Sequence, residues 1–142
     1  MCVCVCVCVG SLLSGVLREV IDSVLLIVEL SVDDCVCLQR VFTSLVTSST
    51  QLFQRCRPPA DLSSQCVEVI VQDCVPVWLR FRELATFFSL RLSDVIDRWA
   101  DGKGPLAVQL SSAELARLVV AVFEKTSRRD AFIARLSSSS SQ

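Results

Sequence analysis

Apolar residues recur along most of this chain at the three- and four-residue spacing of an amphipathic α-helix. The first such stripe consists of seven aliphatic residues: Val16, Leu17, Val20, Ile21, Val24, Leu25 and Val28. Leu26 and Ile27 broaden this stripe, which indicates a helix that is covered on more than one side. Ser31 ends the helix and caps the next one, which has Asp33 and Asp34 in its first turn.

A second helix is predicted to run from this cap to Phe53. It stops within residues 55–59, which include two consecutive prolines. A short third helix is expected from a cap at Asp61 through Cys74. Residues 67–71 taken alone are typical of a strand, but no second convincing strand is available to pair with them.

A long fourth helix is predicted from Pro76, which suits a first helical turn, to Trp99. Residues 100–105 end this helix, because they combine a glycine suited to left-handed backbone with a proline that cannot continue the helix. Asp94 and Arg98 are four residues apart and are expected to form an ion pair on its surface.

The C-terminal part of the chain contains two further helix starts. Ser111 and Glu114 have the spacing of a capping box and predict a fifth helix. Ser127 and Asp130 form a possible second box that opens a final helix. Alternatively, the fifth helix runs straight through this point.

The helical pattern covers residues 11–136, which we expect to form an all-α domain, an antiparallel bundle of about five or six helices. Residues 137–142 begin with five serines and are expected to form a flexible tail. Residues 2–9 alternate Cys and Val, as a TG repeat translated in frame would, so we interpret residues 1–10 as low-complexity sequence rather than native structure. A signal peptide, a thiolate metal tract and a β-strand fit this run less well.

Composition narrows the possible functions. The 142 residues are 52% apolar and carry 14 basic and 15 acidic side chains, a balance that argues against nucleic-acid binding. The chain lacks histidine, the commonest general base and metal ligand, so no cofactor and no metal are expected. The longest aliphatic run, residues 24–28, is far too short to span a membrane.

The tryptophans and cysteines are interpreted as core residues rather than as catalytic or ligand-binding residues. Trp78 and Trp99 are expected to be core anchors. Five cysteines outside the N-terminal run have irregular spacing and are expected to be reduced, small apolar core residues. They are Cys35, Cys37, Cys56, Cys66 and Cys74.

Three groups of residues could bind a ligand or take part in catalysis, and each has a simpler structural explanation. Residues 101–104 lack the spacing and the hydroxyl of a phosphate-binding loop and suit a helix-ending turn. Asp94, Asp97 and Asp101 have cationic neighbours and no histidine partner, which favours a solvated face. Basic residues near the C-terminus alternate with acidic ones: Arg117, Lys125, Arg128, Arg129 and Arg135.

One segment of the sequence points to a particular protein family. Residues 95–107 read Val-Ile-Asp-Arg-Trp-Ala-Asp-Gly-Lys-Gly-Pro-Leu-Ala, which resembles a signature near the C-terminus of the Zeste-white ten family of centromere/kinetochore proteins. The similarity extends through residues 111–123 and includes residues 17–22 and 76–84 upstream. It covers about residues 16–136. Family members are several times longer, so this chain resembles their last helical domain.

The resemblance implies a non-catalytic scaffold. With Rough Deal and Zwilch, such a protein recruits dynein and spindle-checkpoint proteins to the kinetochore in mitosis. With the neuroblastoma-amplified protein, it tethers Golgi-derived vesicles at the cytoplasmic face of the endoplasmic reticulum. The implied fold is the helical rod of multisubunit tethering complexes, whose C-terminal domain docks onto the large helical subunit. The implied location is the cytoplasm, with membrane association only through partners.

We hypothesise that the last two helices and the turn at 99–106 contact the partner, because packing does not dictate residue identity in a solvent-facing turn. The candidate contact residues are Arg98, Trp99, Asp101, Lys103, Leu106, Arg128 and Arg129. A membrane-surface module that uses the basic C-terminal face is one alternative. A small enzyme and a truncated gene-model fragment with no independent function are the others.

Overall fold

The structure is a computed structural model that describes residues 3–55 and 64–139. These ranges form eight α-helices and one 3-10 turn at Ala100–Gly102, and contain no β-strand. The helices are α1 (Val3–Leu25), α2 (Val32–Arg55), α3 (Ser64–Cys74), α4 (Trp78–Phe87), α5 (Leu92–Trp99), α6 (Pro105–Gln109), α7 (Ser112–Val122) and α8 (Ser127–Ser139). The predicted all-α class and the helical assignment of α3 are therefore confirmed, although the helices are more numerous than expected.

The connection between α1 and α2 differs from the prediction. Helix α1 ends at Leu25, well before the predicted end at Ser31, and the chain then crosses to α7, where the N–H of Leu30 donates to the carbonyl of Ala121 at 3.0 Å. Ser31 caps α2 as predicted, since its hydroxyl accepts from the N–H of Asp34 at 3.2 Å. The hydroxyl and the N–H of Ser31 both donate to the Asp34 carboxylate, and these bonds lower the pKa of Asp34.

Both ends of the helical domain extend past the predicted boundaries. Residues 3–10, placed outside the domain, form the first part of α1. Gly10 is buried against α3, and a Cβ at this position would overlap the carbonyl oxygen of Cys74. At the other end, α8 continues through Ser139, while residues 140–142 of the predicted tail lie outside the described residues.

The predicted fourth helix is two helices, because a turn interrupts it after Phe87. Phe88 still has helical backbone, and both phenylalanines are buried against different neighbours: Phe88 against Phe42 of α2 and Phe87 against Phe123. The hydroxyl of Ser89 donates to the carbonyl of Thr86 at 2.7 Å and so satisfies one carbonyl at the end of α4. Pro76 lies in the turn that precedes α4 rather than in its first turn.

The C-terminal helices begin at three different caps. Pro105 occupies the first position of α6, so it starts a helix that the sequence pattern missed. The capping box of Ser111 and Glu114 is confirmed at the start of α7. Helix α8 is separate from α7, and its cap is Thr126, whose hydroxyl accepts from the N–H of Arg129 at 3.2 Å. The predicted box at Ser127 and the uninterrupted fifth helix are both wrong.

Aromatic side chains join the central helices. Phe42 of α2 lies 5.0 Å from Phe81 and 5.5 Å from Phe88, measured between ring centroids. Trp78 is fully buried, and its indole N–H donates to Glu68 of α3 at 3.0 Å. Trp78 and Trp99 are therefore core anchors, as predicted.

The described cysteines are free thiols and are less buried than expected. Cys35 and Cys74 are half-buried, and Cys37 is exposed, so its predicted place in the core is wrong. Cys56 and the side chain of Cys66 lie outside the described residues. No helix within the described ranges is long and apolar enough to cross a membrane.

Candidate partner-binding surface

Two of the candidate contact residues belong to the core. Trp99 is 3% exposed and packs edge-on against Phe132 of α8, with ring centroids 5.3 Å apart. Leu106, on α6, is fully buried. Both side chains fix the turn between α5 and α6 onto the body of the domain, and neither is available to a partner.

Arg98 connects two helices through a partly buried ion pair. Its guanidinium donates two hydrogen bonds to the Glu83 carboxylate of α4, from Nε at 2.8 Å and from Nη2 at 2.7 Å. These bonds raise the pKa of Arg98, and such a bidentate pair holds two side chains in one fixed geometry. The predicted pair with Asp94 is wrong, because the Asp94 carboxylate instead accepts from the backbone N–H of Arg91 at 3.2 Å.

The backbone conformation of the turn between α5 and α6 explains several residue identities within residues 95–107. Ala100, Asp101 and Gly102 all have left-handed backbone, with φ of 47°, 52° and 84°. Gly104 approaches α5 so closely that its N–H donates to the carbonyl of Trp99 at 2.9 Å. The expectation that packing leaves this turn unconstrained is therefore wrong for several of its positions.

Asp101 and Lys103 do face solvent in this turn. Asp101 forms an ion pair with Arg135 of α8, and the Arg135 guanidinium lies 5.5 Å from the centroid of the Trp99 ring. This cation–π contact and the ion pair hold α8 and the turn together. The candidate set omitted Arg135, and its pairing depends on a tertiary contact that the local pattern does not contain.

The two arginines at the start of α8 have different environments. Arg128 is exposed. The side chain of Arg129 is only 12% exposed, and its Nη1 donates to the carbonyl of Phe123 at 2.8 Å. Because Arg129 satisfies a carbonyl at the C-terminal end of α7, its role in the structure is that of a helix cap. The exposed members of the candidate set are therefore Asp101, Lys103 and Arg128.

Sequence reasoning missed an apolar groove of about 460 Å³. It lies between the α1–α2 connection and α7, and we call it the connector groove. Its lining residues are Leu25, Leu26, Ile27, Val28, Ala116, Arg117 and Val120. The aliphatic run at residues 24–28 could have indicated this groove, but its spacing predicted a helix that is covered on more than one side.

The aspartates and the glycine-containing turn that the sequence offered as possible sites do not form a common site in the structure. Within the described ranges, no group of three or more metal-ligating side chains shares a site. Asp94 and Asp101 are bound to different partners, and residues 101–104 belong to a turn that follows a helix.

By its fold, this chain is an all-α helical domain. Residues 3–136 match the family model of the ZW10 C-terminal helical domain. The chain is 34% identical over 131 residues to the centromere/kinetochore protein zw10 homolog of Rattus norvegicus and 32% identical to that of Mus musculus. Each alignment covers 89% of this chain and 16% of the relative. The Caenorhabditis elegans homolog is 35% identical over 63 residues, which are 44% of this chain and 8% of that protein.

The chain therefore belongs to the ZW10 family and corresponds to its C-terminal helical domain. It spans about a sixth of the length of the mammalian relatives that it matches. This result confirms the resemblance drawn from residues 95–107 and its neighbouring segments.

Proposed function

We propose that this domain is a non-catalytic docking module of a kinetochore scaffold. Its partner would be the large helical subunit Rough Deal, in a complex with Zwilch that recruits dynein and checkpoint proteins in mitosis. The relatives are named centromere/kinetochore proteins, which supports this assignment. The corresponding role in Golgi-to-endoplasmic-reticulum tethering, with the neuroblastoma-amplified protein as partner, would use the same surface on the cytoplasmic face of that membrane.

The observation that carries the proposal is the exposed charge on a rigid turn. Asp101 and Lys103 project from backbone that Gly104, Trp99 and Leu106 fix against the core. A surface whose backbone is already ordered loses little conformational entropy when it binds. Catalysis would require an activated acid, base or nucleophile, whereas docking requires only a fixed surface of this kind.

Co-purification of the full chain with the C-terminal helical half of Rough Deal tests the proposal. The informative variant combines Lys103→Glu with Arg128→Glu, because both side chains are exposed and their reversal leaves the core intact. The matched control combines Arg40→Glu with Arg55→Glu, two exposed arginines of α2 that give the same change in net charge.

We expect the wild-type chain and the α2 control to form a monodisperse complex and the turn variant to lose it. An unchanged complex with the turn variant would place the docking surface elsewhere. If the wild-type chain binds neither Rough Deal nor the neuroblastoma-amplified protein, the docking function itself is wrong.

A further inference from the structure

Two thiols from different helices lie where α1 passes the end of α3. Cys6 of α1 and Cys74 of α3 are both free and half-buried, and both pack against the apolar core. The two residues are far apart in the sequence, so only the packing of the two helices brings them near each other.

Gly10 determines how closely these helices approach. A Cβ on Gly10 would overlap the carbonyl oxygen of Cys74 and would lie 2.8 Å from the Cβ of Cys74. A larger residue at this position would push α3 away from α1, because the obstructing atoms include backbone atoms of Cys74. The end of α3 therefore lies directly on the surface of α1.

Cys6 lies on the same face of α1 as Gly10, one turn nearer the N-terminus, because residues four apart in a helix are neighbours on one face. The Cα–Cβ bonds of a helix tilt toward its N-terminus, so the Cβ position of Gly10 that Cys74 contacts points toward Cys6. The electrostatics agree with this placement. Burial raises the pKa of the Cys74 thiol, and the charge of an ionised Cys6 raises this pKa further, with a smaller contribution from Asp73.

We propose that Cys6 and Cys74 form a reversible disulfide that fastens α1 to α3 under oxidising conditions. A disulfide needs Cα atoms within about 7 Å of each other and Cβ atoms about 4 Å apart. Two helices in backbone contact at Gly10 allow this separation. We call this bond the α1–α3 clip; it is separate from the charged turn and does not depend on the docking function proposed for that turn.

A small-molecule disulfide such as oxidised glutathione would supply the oxidising equivalents. The raised pKa of Cys74 disfavours its thiolate, so the thiolate of Cys6 makes the first attack, forms a mixed disulfide and releases one glutathione thiolate. Cys74 then loses its proton to water, and its thiolate attacks the sulfur of Cys6 and displaces the second glutathione thiolate. Two protein thiols are thereby oxidised by two electrons, and one oxidised glutathione is reduced to two reduced molecules.

The clip would change the stability of the domain. The chain between Cys6 and Cys74 includes all of α2 and most of α3. Closing so long a loop removes conformational freedom from the unfolded chain and so favours the folded state. We therefore expect the oxidised domain to resist unfolding better than the reduced domain.

Equilibration of the full chain with glutathione buffers of increasing oxidised fraction tests the proposal. Free thiols are then blocked with N-ethylmaleimide, and disulfides are located by mass spectrometry of unreduced tryptic peptides. Trypsin cleaves after Arg18, Arg55 and Arg80, so the expected product joins residues 1–18 to residues 56–80 of one chain. Fragmentation of this product identifies the bonded cysteines, which we expect to be Cys6 and Cys74.

Variants then relate the bond to stability. Cys6→Ser and Cys74→Ser should each abolish the cross-link and the rise in the urea midpoint that oxidation causes in the wild type. Cys8→Ser is the matched control and should preserve both, because Cys8 is exposed and lies about 200° around α1 from Cys6. Circular dichroism under reducing conditions verifies that each variant is folded.

The cross-link map of the wild type decides the proposal even where a variant fails to fold. A chain that stays reduced in oxidised glutathione would overturn the proposal, as would one that joins Cys74 mainly to another cysteine such as Cys8 or Cys35. A bond that forms only between two chains, seen as a dimer on a non-reducing gel, would also overturn it. A Cys6–Cys74 bond that leaves the urea midpoint unchanged or lowers it would contradict the stabilising clip.

Discussion

Gly104 lies directly against the carbonyl group of Arg98. A Cβ on Gly104 would overlap the carbonyl oxygen of Arg98 and would lie 2.8 Å from its carbonyl carbon. Because the obstructing atoms are backbone atoms at the end of α5, no side-chain rotation can relieve the overlap. This contact sets the path of the chain from α5 to α6 and the position of the exposed charges between them.

Gly104→Ala is therefore expected to destabilise the domain by about 1–3 kcal/mol, the usual cost of forcing extra atoms into a packed site. Gly15→Ala is the matched control, since a Cβ at Gly15 meets nothing within 4 Å and Gly15 lies inside α1. It should stabilise the domain by about 0.5–1 kcal/mol through helix propensity. Urea unfolding followed by circular dichroism measures both changes, and equal midpoints for Gly104→Ala and the wild type would contradict the close contact.

The ion pair between Arg98 and Glu83 should appear in a double-mutant cycle. Arg98→Gln and Glu83→Gln are expected to show a coupling energy of about 0.5–1 kcal/mol, because the pair is bidentate but only partly buried. Asp94→Asn in place of Glu83→Gln should show no coupling to Arg98. Coupling to Asp94 rather than to Glu83 would restore the pairing that the sequence spacing suggested.

The capping box of α7 should make stability depend on pH. Partial burial favours the neutral form of Glu114, but its hydrogen bonds with Ser111 and its ion pair with Arg80 outweigh that effect and lower its pKa below the ordinary value of 4.5. A carboxylate with a lowered folded-state pKa stabilises the protein above its unfolded-state pKa. This stabilisation is lost as the pH falls below about 4.5 toward the lowered value.

Glu114→Gln should retain part of the cap but lack this pH dependence. We expect the difference in unfolding free energy between wild type and Glu114→Gln to shrink steadily as the pH falls from 6 to 3, measured by urea unfolding at about five pH values. A difference that stays constant over this range would mean that Glu114 contributes no ionisation-linked stability.

The cysteines of α2 should differ in reactivity. Burial and the charge of Asp34 raise the pKa of the Cys35 thiol, so less of it is thiolate at neutral pH. Cys37 is exposed two residues further on. Alkylation by iodoacetamide at pH 7.5, mapped by peptide mass spectrometry, is expected to modify Cys37 faster than Cys35. Asp34→Asn should raise the rate at Cys35, and equal rates in the wild type would contradict this placement.

The sequence alone determined the helical class and the signals that act over three or four residues. The caps at Ser31 and Ser111 are examples, since each hydroxyl bonds to an N–H three residues ahead in the same chain. The core positions of Trp78 and Trp99 also followed from the apolar pattern. Such features are local in sequence, so a single chain contains the information that they require.

Tertiary structure alone decided the features that depend on which helices meet. The predicted fourth helix is interrupted between Phe87 and Leu92, and Arg98 pairs across helices rather than along its own. For the same reason, Arg129 caps α7, and most of the aliphatic run at 24–28 lines a groove. Spacing along a chain defines which side chains share a face, but only the packing of the helices determines whether that face is covered.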